Sequence, residues 1–152
     1  MKVAVLMGSA NDQSKMAPAV ELLESFGVEV TEHALSAHRT PQLVADFASG
    51  ARAAGYGVLI CGAGMAAALP GVVAAQTTLP VIGVPLSGSA IGGVDALYAI
   101  VQMPRGVPVA TVAIDGAANA GLLAVEMLAL SDHTLAEKLD DYRQQWLPAP
   151  TP

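Results

Sequence analysis

Residues 3–12, Val3-Ala4-Val5-Leu6-Met7-Gly8-Ser9-Ala10-Asn11-Asp12, join an uninterrupted apolar run to a glycine-serine turn and an acidic residue. An apolar run with no polar alternation suits a strand covered on both faces, as in a parallel sheet between helical layers. Gly8 and Ser9 then break the run, and Asp12 stands as the N-cap of a helical pattern over Asp12–Phe26.

The same strand–turn–helix succession repeats down the chain. Further strands are predicted at Val28–Leu35, Gly57–Cys61, Val81–Pro85 and Val109–Ile114. Helices are predicted at Pro41–Ala54, Ala66–Gln76, Gly92–Val101 and Ala117–Leu130. All the strands except Val28–Leu35 are near-continuous apolar runs. Thr40 precedes Pro41 at a first helical position, and Gly27 and Gly55 suit helix C-termini. Strands alternating with helices imply a parallel sheet with right-handed crossovers, an α/β three-layer sandwich. Residues 1–146 read as a single domain. Asp132–Gln145 is a C-terminal tail helix whose Leu135, Leu139, Tyr142 and Trp146 are expected to pack on another subunit, and residues 147–152 form a Pro-rich tail.

Composition narrows the function. The 152 residues are 53% hydrophobic and only 13% charged, against about a quarter charged in an ordinary soluble chain. A surface so poor in charge implies a homo-oligomer. Net charge −6 with seven Lys and Arg leaves no basic face for nucleic acid. No apolar run is long enough for a transmembrane helix, so no membrane partner is expected. Lys2 and the apolar run resemble a signal-peptide start, but turn residues at 8–12 interrupt it too early, which favours a first strand. The lone Cys61 excludes an internal disulfide and fits a reducing, cytoplasmic setting.

In such a sheet ligands bind outside the carboxyl ends of the strands. Those ends collect Gly8–Asp12, Ser36–Arg39, Gly62–Gly64, Pro85–Gly88 and Asp115–Gly116, which hold most of the Gly and Ser clusters. Chemistry is concentrated in Leu35-Ser36-Ala37-His38-Arg39-Thr40-Pro41. An imidazole gives and takes protons near neutrality, and an adjacent guanidinium suits phosphate or carboxylate. A solvated loop histidine beside a surface arginine is the plainer reading of the same letters. At Gly8–Asp12, backbone N–H groups and the Ser9 hydroxyl can take an anion, while Asp12 can accept from ribose hydroxyls; a simple capped turn is the alternative.

Gly62-Ala63-Gly64-Met65-Ala66-Ala67 matches a loose dinucleotide pattern, but it follows the third strand and no acidic residue ends the next one. A Gly/Ala loop that lets backbone approach a ligand closely is the preferred reading. Gln102–Pro108 is a rigid loop whose Met103 and Pro104 can cover a flat ring, or form a plain turn. His33 lies mid-strand and His133 in the polar tail, and with one cysteine they make no metal-ligand spacing, so no metal is expected. Cys61 reads as buried rather than nucleophilic.

Taken together, MGSANDQ (7–13), SAHRTP (36–41), GAG (62–64), ALPG (68–71), LPVIGVP (79–85), GVDALYAIVQMPRGVPVATVAI (93–114) and AANAGLLA (117–124) resemble one family. It is the class I 5-(carboxyamino)imidazole ribonucleotide mutases of purine biosynthesis (PurE), also called the catalytic subunit of phosphoribosylaminoimidazole carboxylase. The resemblance runs from Val3 to about Tyr142. It implies a flavodoxin-like sandwich assembled as a homo-octamer, acting on a ribonucleotide without a cofactor. The reaction moves a carboxylate from the exocyclic nitrogen to carbon 4 of the imidazole. On this chain, Ser9, Asp12 and Arg39 would hold the ribose phosphate and His38 would move the proton. Ser36, Gly64, Ala66 and Ala67 would complete the substrate-binding set, and an ATP-dependent synthetase would supply the carbamate.

Two positions depart from the family's usual loop, GAGGAAHLPG: Met65 replaces a glycine and Ala68 replaces a histidine. A class II carboxylase using free carbon dioxide, whose members lack that histidine but differ in the surrounding loops, is therefore a second reading. A flavodoxin-like domain that binds a nucleotide or flavin without proton transfer is a third.

Overall fold

Apolar residues on both sides of each central strand split into two cores. The computed structural model describes residues 2–147, and in it five parallel strands stand in the order β2-β1-β3-β4-β5. They are β1 (Lys2–Met7), β2 (Glu29–Ala34), β3 (Tyr56–Gly64), β4 (Val81–Leu86) and β5 (Ala110–Thr111). On one face Val3, Val5, Val58, Ile60, Ile82 and Val84 pack under α1 (Gln13–Ser25) and α5 (Ala117–Ala129). On the other, Ala4, Leu6, Leu59 and Cys61 pack under α2 (Pro41–Gly50), α3 (Leu69–Gln76) and α4 (Val94–Val101). Alternate residues of one strand feed opposite cores, which is why the strands show no polar alternation. The three-layer, flavodoxin-like order is the one expected.

Boundaries moved where backbone geometry overrides hydrophobic pattern. β3 runs on to Gly64 because Gly62–Gly64 pair with Val84–Leu86. Helix α3 starts at Leu69, not Ala66, because Met65 and Ala67 hold φ of 54° and 38°, outside helical space. Gly92 and Gly93 likewise delay α4 to Val94. Helix α2 stops at Gly50, and turns carry the chain to Gly55. The fifth strand keeps only Ala110–Thr111 in register with Ile82–Gly83, at the sheet edge, and both residues are only partly buried. The expectation of cover on both faces fails for it.

The tail helix also departs from expectation. In α6 (His133–Gln144), Asp132 caps the start by accepting from Thr134 and Leu135 N–H at 3.0 and 3.2 Å. Leu135, Leu139 and Tyr142 join the α1/α5 core, Tyr142 lies 5.4 Å from the Phe26 ring, and Lys138 Nζ donates to the Phe26 carbonyl at 2.6 Å. Its apolar face thus covers its own chain rather than another subunit; Trp146, stacked edge-on against Tyr142, stays exposed. The Pro-rich stretch 148–152 lies outside the described residues.

His33 bonds Thr31 Oγ1 at 2.9 Å and packs on Phe47, and burial, helped by Lys2, holds its pKa below the usual value. It braces the β2 edge. Cys61 is fully buried and burial pushes its thiol pKa far up, so it is a core residue.

Gly83 marks the tightest packing between sheet and helix. A Cβ there would overlap Ile100 Cγ2 and stand 3.0 Å from Val109 Cγ1, both stiff β-branched side chains. Gly83→Ala should lower stability by about 1–3 kcal/mol, read as a fall in urea midpoint with unchanged slope.

Candidate active site

With strand order β2-β1-β3-β4-β5, crossovers leave β1 toward opposite sides and open a crevice above β1 and β3. A cleft of about 620 Å³ lies there, walled by the loops after β1, β2, β3 and β4. Ser9, Asp12, Ser36, His38, Arg39, Gly64, Ala66 and Ala67 all line it. Residues spread over nearly sixty positions of sequence are therefore brought to one place.

Each polar side chain has a local reason for its position. After β1, Gly8 N–H donates to the Gly62 carbonyl at 3.2 Å, pinning the β1 loop to β3. Ser9 is extended, and its Oγ accepts from Asn11 N–H at 3.2 Å, capping a single 3₁₀ turn over Ala10–Asp12. Asp12 stands at the N-cap of α1 but makes no capping bond, so the expected cap role passes to Ser9 and the carboxylate is left toward the cleft. Beneath, Gly62 has room for no side chain: a Cβ would overlap the buried Met16 sulfur.

The loop after β2 is a tightly bonded turn. The Ser36 carbonyl accepts from Thr40 N–H at 2.8 Å and from Thr40 Oγ1 at 3.0 Å. Thr40's hydroxyl is spent there, and it makes no capping bond to α2. Ser36 Oγ accepts from Arg39 N–H at 3.2 Å and from Arg39 Nε at 3.3 Å, while Arg39 Nη2 donates to the Gly8 carbonyl at 3.5 Å. The guanidinium is thereby leaned across the β1 loop with further N–H donors in hand. His38, at the head of the turn, is exposed to the cleft.

The loop after β3 forms the apolar wall. Ala67 N–H closes onto the Gly64 carbonyl at 3.0 Å, and Met65, Ala66, Ala67, Ala68 and Leu69 face the cavity. Across from it, Ser87 and Gly88 follow β4. Ser87 N–H donates to Asp115 Oδ1 at 2.9 Å, its hydroxyl donates to Asp115 Oδ2, and Lys15 Nζ donates to Ser87 Oγ at 2.6 Å and to the Ser87 carbonyl. Lys15 also lies 3.4 Å from Asp115 Oδ1. Partial burial raises the Asp115 pKa, but the Ser87 hydrogen bonds and then Lys15 outweigh it and hold the carboxyl below its ordinary range.

Sequence reasoning collected Asn11, Ser87 and Asp115 as strand-end residues without assigning them a role, and passed over Lys15 entirely. Lys15 sits one turn after Asp12, the only hint of its reach. The Gln102–Pro108 loop contributes nothing to this cleft. Met103 instead packs on α3, so close to Gly71 that a Cβ there would sit 3.1 Å from its sulfur. Among the described residues no group of three or more His, Cys, Asp or Glu side chains comes together as a metal-ligand set.

A profile of the AIR carboxylase family matches residues 2–147. The chain is 55% identical over 138 residues to the N5-carboxyaminoimidazole ribonucleotide mutase of Aquifex aeolicus, covering 91% of this chain and 83% of that one. It is 50% identical over 147 residues to the protein of the same name from Vibrio vulnificus, covering 95% and 91%. The crystal structure of Treponema denticola PurE superposes with a TM-score of 0.86 at 29% identity, covering 94% of this chain and 89% of the other.

The Ser87 tie is open to test. Asp115 holds φ of 55°, and Asn tolerates that conformation while losing the charge. Asp115→Asn should cost about 1 kcal/mol at neutral pH, a modest figure because Lys15 and Asp115 are 35% and 40% exposed. A depressed carboxyl pKa stabilises the fold above its unfolded value and loses that contribution as pH falls through the folded one. The gap between wild type and variant, measured by urea denaturation, should therefore close as pH drops through the carboxylate range.

Proposed function

The chain belongs to the AIR carboxylase family, and from that premise we propose that it is an N5-carboxyaminoimidazole ribonucleotide mutase, an isomerase of purine biosynthesis. The observation that carries the reading is the adjacency of a proton carrier and an anion anchor in one cleft. His38 is exposed to it, and the Arg39 guanidinium is leaned over the Gly8–Asp12 loop.

Arg39, Ser9 and the N–H groups opening the helical turn take the ribose phosphate, and Asp12 accepts from ribose hydroxyls. Ser36 holds Arg39 in place. Gly64, Ala66 and Ala67 bring backbone close to the heterocycle. The His38 imidazolium gives its proton to the exocyclic nitrogen as the nitrogen–carboxylate bond breaks, leaving the amine and carbon dioxide. Carbon 4 then attacks the carbon dioxide, and the proton it sheds returns to the imidazole. Atoms and charge balance over the cycle, and one side chain serves as acid and then base. Holding the freed carbon dioxide beside the ring keeps recapture intramolecular.

Ala68 in place of the family's histidine favours a second reading, a carboxylase that takes aminoimidazole ribonucleotide and free carbon dioxide. For the mutase, the carbamate must come from a reaction that couples carboxylation of the amine to ATP cleavage, and we assign that step to a separate synthetase. The assembly we propose is a homo-octamer in the cytoplasm. An apolar stripe at 61%, 40%, 61% and 50% exposure, made by Ile91 in the preceding turn and Val94, Tyr98 and Val101 on α4, supports a subunit contact there.

Purified protein given the carbamate, or aminoimidazole ribonucleotide with bicarbonate, separates the two readings: the mutase consumes the first. His38→Asn should lower kcat by about 10²–10⁴-fold while ribonucleotide still binds by calorimetry. Near-normal turnover in that variant would remove His38 from the mechanism. Arg39→Ala should raise KM by about tenfold or more with a smaller change in kcat, the signature of a lost phosphate contact.

A further inference from the structure

Among the described residues, the non-glycine residues with left-handed backbone are Met65, Ala67 and Asp115. Two of them have an evident return within the chain. Asp115 receives Ser87, and Ala67 is buried and closes a turn onto Gly64. Met65 differs. It holds φ of 54°, which disfavours any side chain, yet it stands 65% exposed at the cleft. The Gly64–Ala67 turn holds the backbone at Met65, yet glycine would make that turn without the cost of a side chain, so an exposed methionine kept there points to a role its side chain meets only when something else is present.

The surroundings say what that is. Neighbouring wall positions Ala66, Ala67 and Ala68 offer only methyl groups, so Met65 is the one long, flexible apolar side chain the loop can lay over a bound ring. A thioether is soft and adaptable, suited to a planar heterocycle. Ala68 beside it is apolar too, so residues 65–68 of this loop present no polar side chain to the cleft. Resting on the mutase reading, we propose that Met65 is a substrate-contacting specificity residue: its side chain covers the imidazole and keeps the released carbon dioxide against carbon 4. The exchange stays the one written above, with no further reactant. Met65 acts by excluding water and slowing escape.

The test compares wild type, Met65→Ala and Met65→Gly, each with carbamate substrate in ¹³C-bicarbonate buffer. Label in the product is read by mass spectrometry, affinity for aminoimidazole ribonucleotide by calorimetry, and mass by light scattering. Both variants should incorporate several-fold more label and bind the ribonucleotide several-fold more weakly. Met65→Gly should melt no lower than wild type, since glycine adopts the backbone freely. Label and affinity equal to wild type overturn the proposal. So does loss of assembly mass at unchanged affinity, which would make Met65 a subunit contact. If wild type binds the ribonucleotide but leaves the carbamate untouched, the mutase reading fails by itself, and the affinity comparison still decides whether Met65 covers the ring. If wild type does not bind the ribonucleotide, both fail.

Discussion

A parallel sheet covered on both faces leaves its central strands no room for polar side chains. In β1, β3 and β4 consecutive residues enter opposite cores, and no buried polar or charged residue interrupts either core among the described residues. The hydrophobic stabilisation of such a sheet is bought by banishing chemistry from the strands themselves. Polar groups able to handle a substrate can only stand where the strands end, and parallel strands all end on the same side. The cleft is a consequence of that covering, and so is the gathering of Gly8–Asp12, Ser36–Arg39, Gly64–Leu69 and Leu86–Gly88 around it.

Placing loops together does not yet make them rigid, and the chain uses a different device at each corner. Ser36 and Thr40 lock the β2 turn through paired side-chain and backbone bonds. Gly8 is tied to Gly62 across neighbouring strands. The corner after β4 has the ladder to β3 on one side, up to Leu86, but only the two-residue β5 on the other, and there Lys15 and Asp115 hold Ser87. On the side of the short edge strand, side-chain bonds to Ser87 thus supply a tie that the ladder does not.

The legibility of this fold in its letters follows the same division. Near-continuous apolar runs predicted β1, β3 and β4 because burial on both faces leaves an unmistakable run of Val, Ile, Leu and Ala, whereas β2 was predicted from a mixed run and β5 from an apolar run that the structure pairs only at Ala110–Thr111. Helix ends were misread where φ decides and hydrophobicity is silent: Ala66–Ala68 look helical in composition, yet Met65 and Ala67 adopt left-handed backbone. The tail helix was assigned to a neighbouring subunit because its amphipathic pattern names a buried face without saying whose surface buries it. The placement of His38, Arg39, Ser9 and Asp12 at the cleft was legible because they lie in the loops that follow β1 and β2. Lys15 was not, because nothing local distinguishes a solvated lysine from one that reaches Ser87, seventy-two positions away.

The charge balance of the cleft completes the account. A chain of net charge −6 is an unpromising host for a phosphorylated substrate, and a diffuse positive field does not supply the attraction. Among the described residues Arg39 is the only Lys or Arg lining the cleft, and Lys15 nearby is already engaged by Ser87 and Asp115. Affinity for an anion must then come from short-range donors: one guanidinium held at a fixed angle, the Ser9 hydroxyl and N–H groups of the turn at Ala10–Asp12. Such contacts act over a few ångströms and are screened little by salt when a ligand excludes water. On the proposed function, the Asp12 carboxylate in the same loop opposes a phosphate placed against it, which favours the anion toward Arg39 and the sugar toward Asp12. That polarity would set the heterocycle at the far end of the sugar, toward the apolar wall that starts at Gly64.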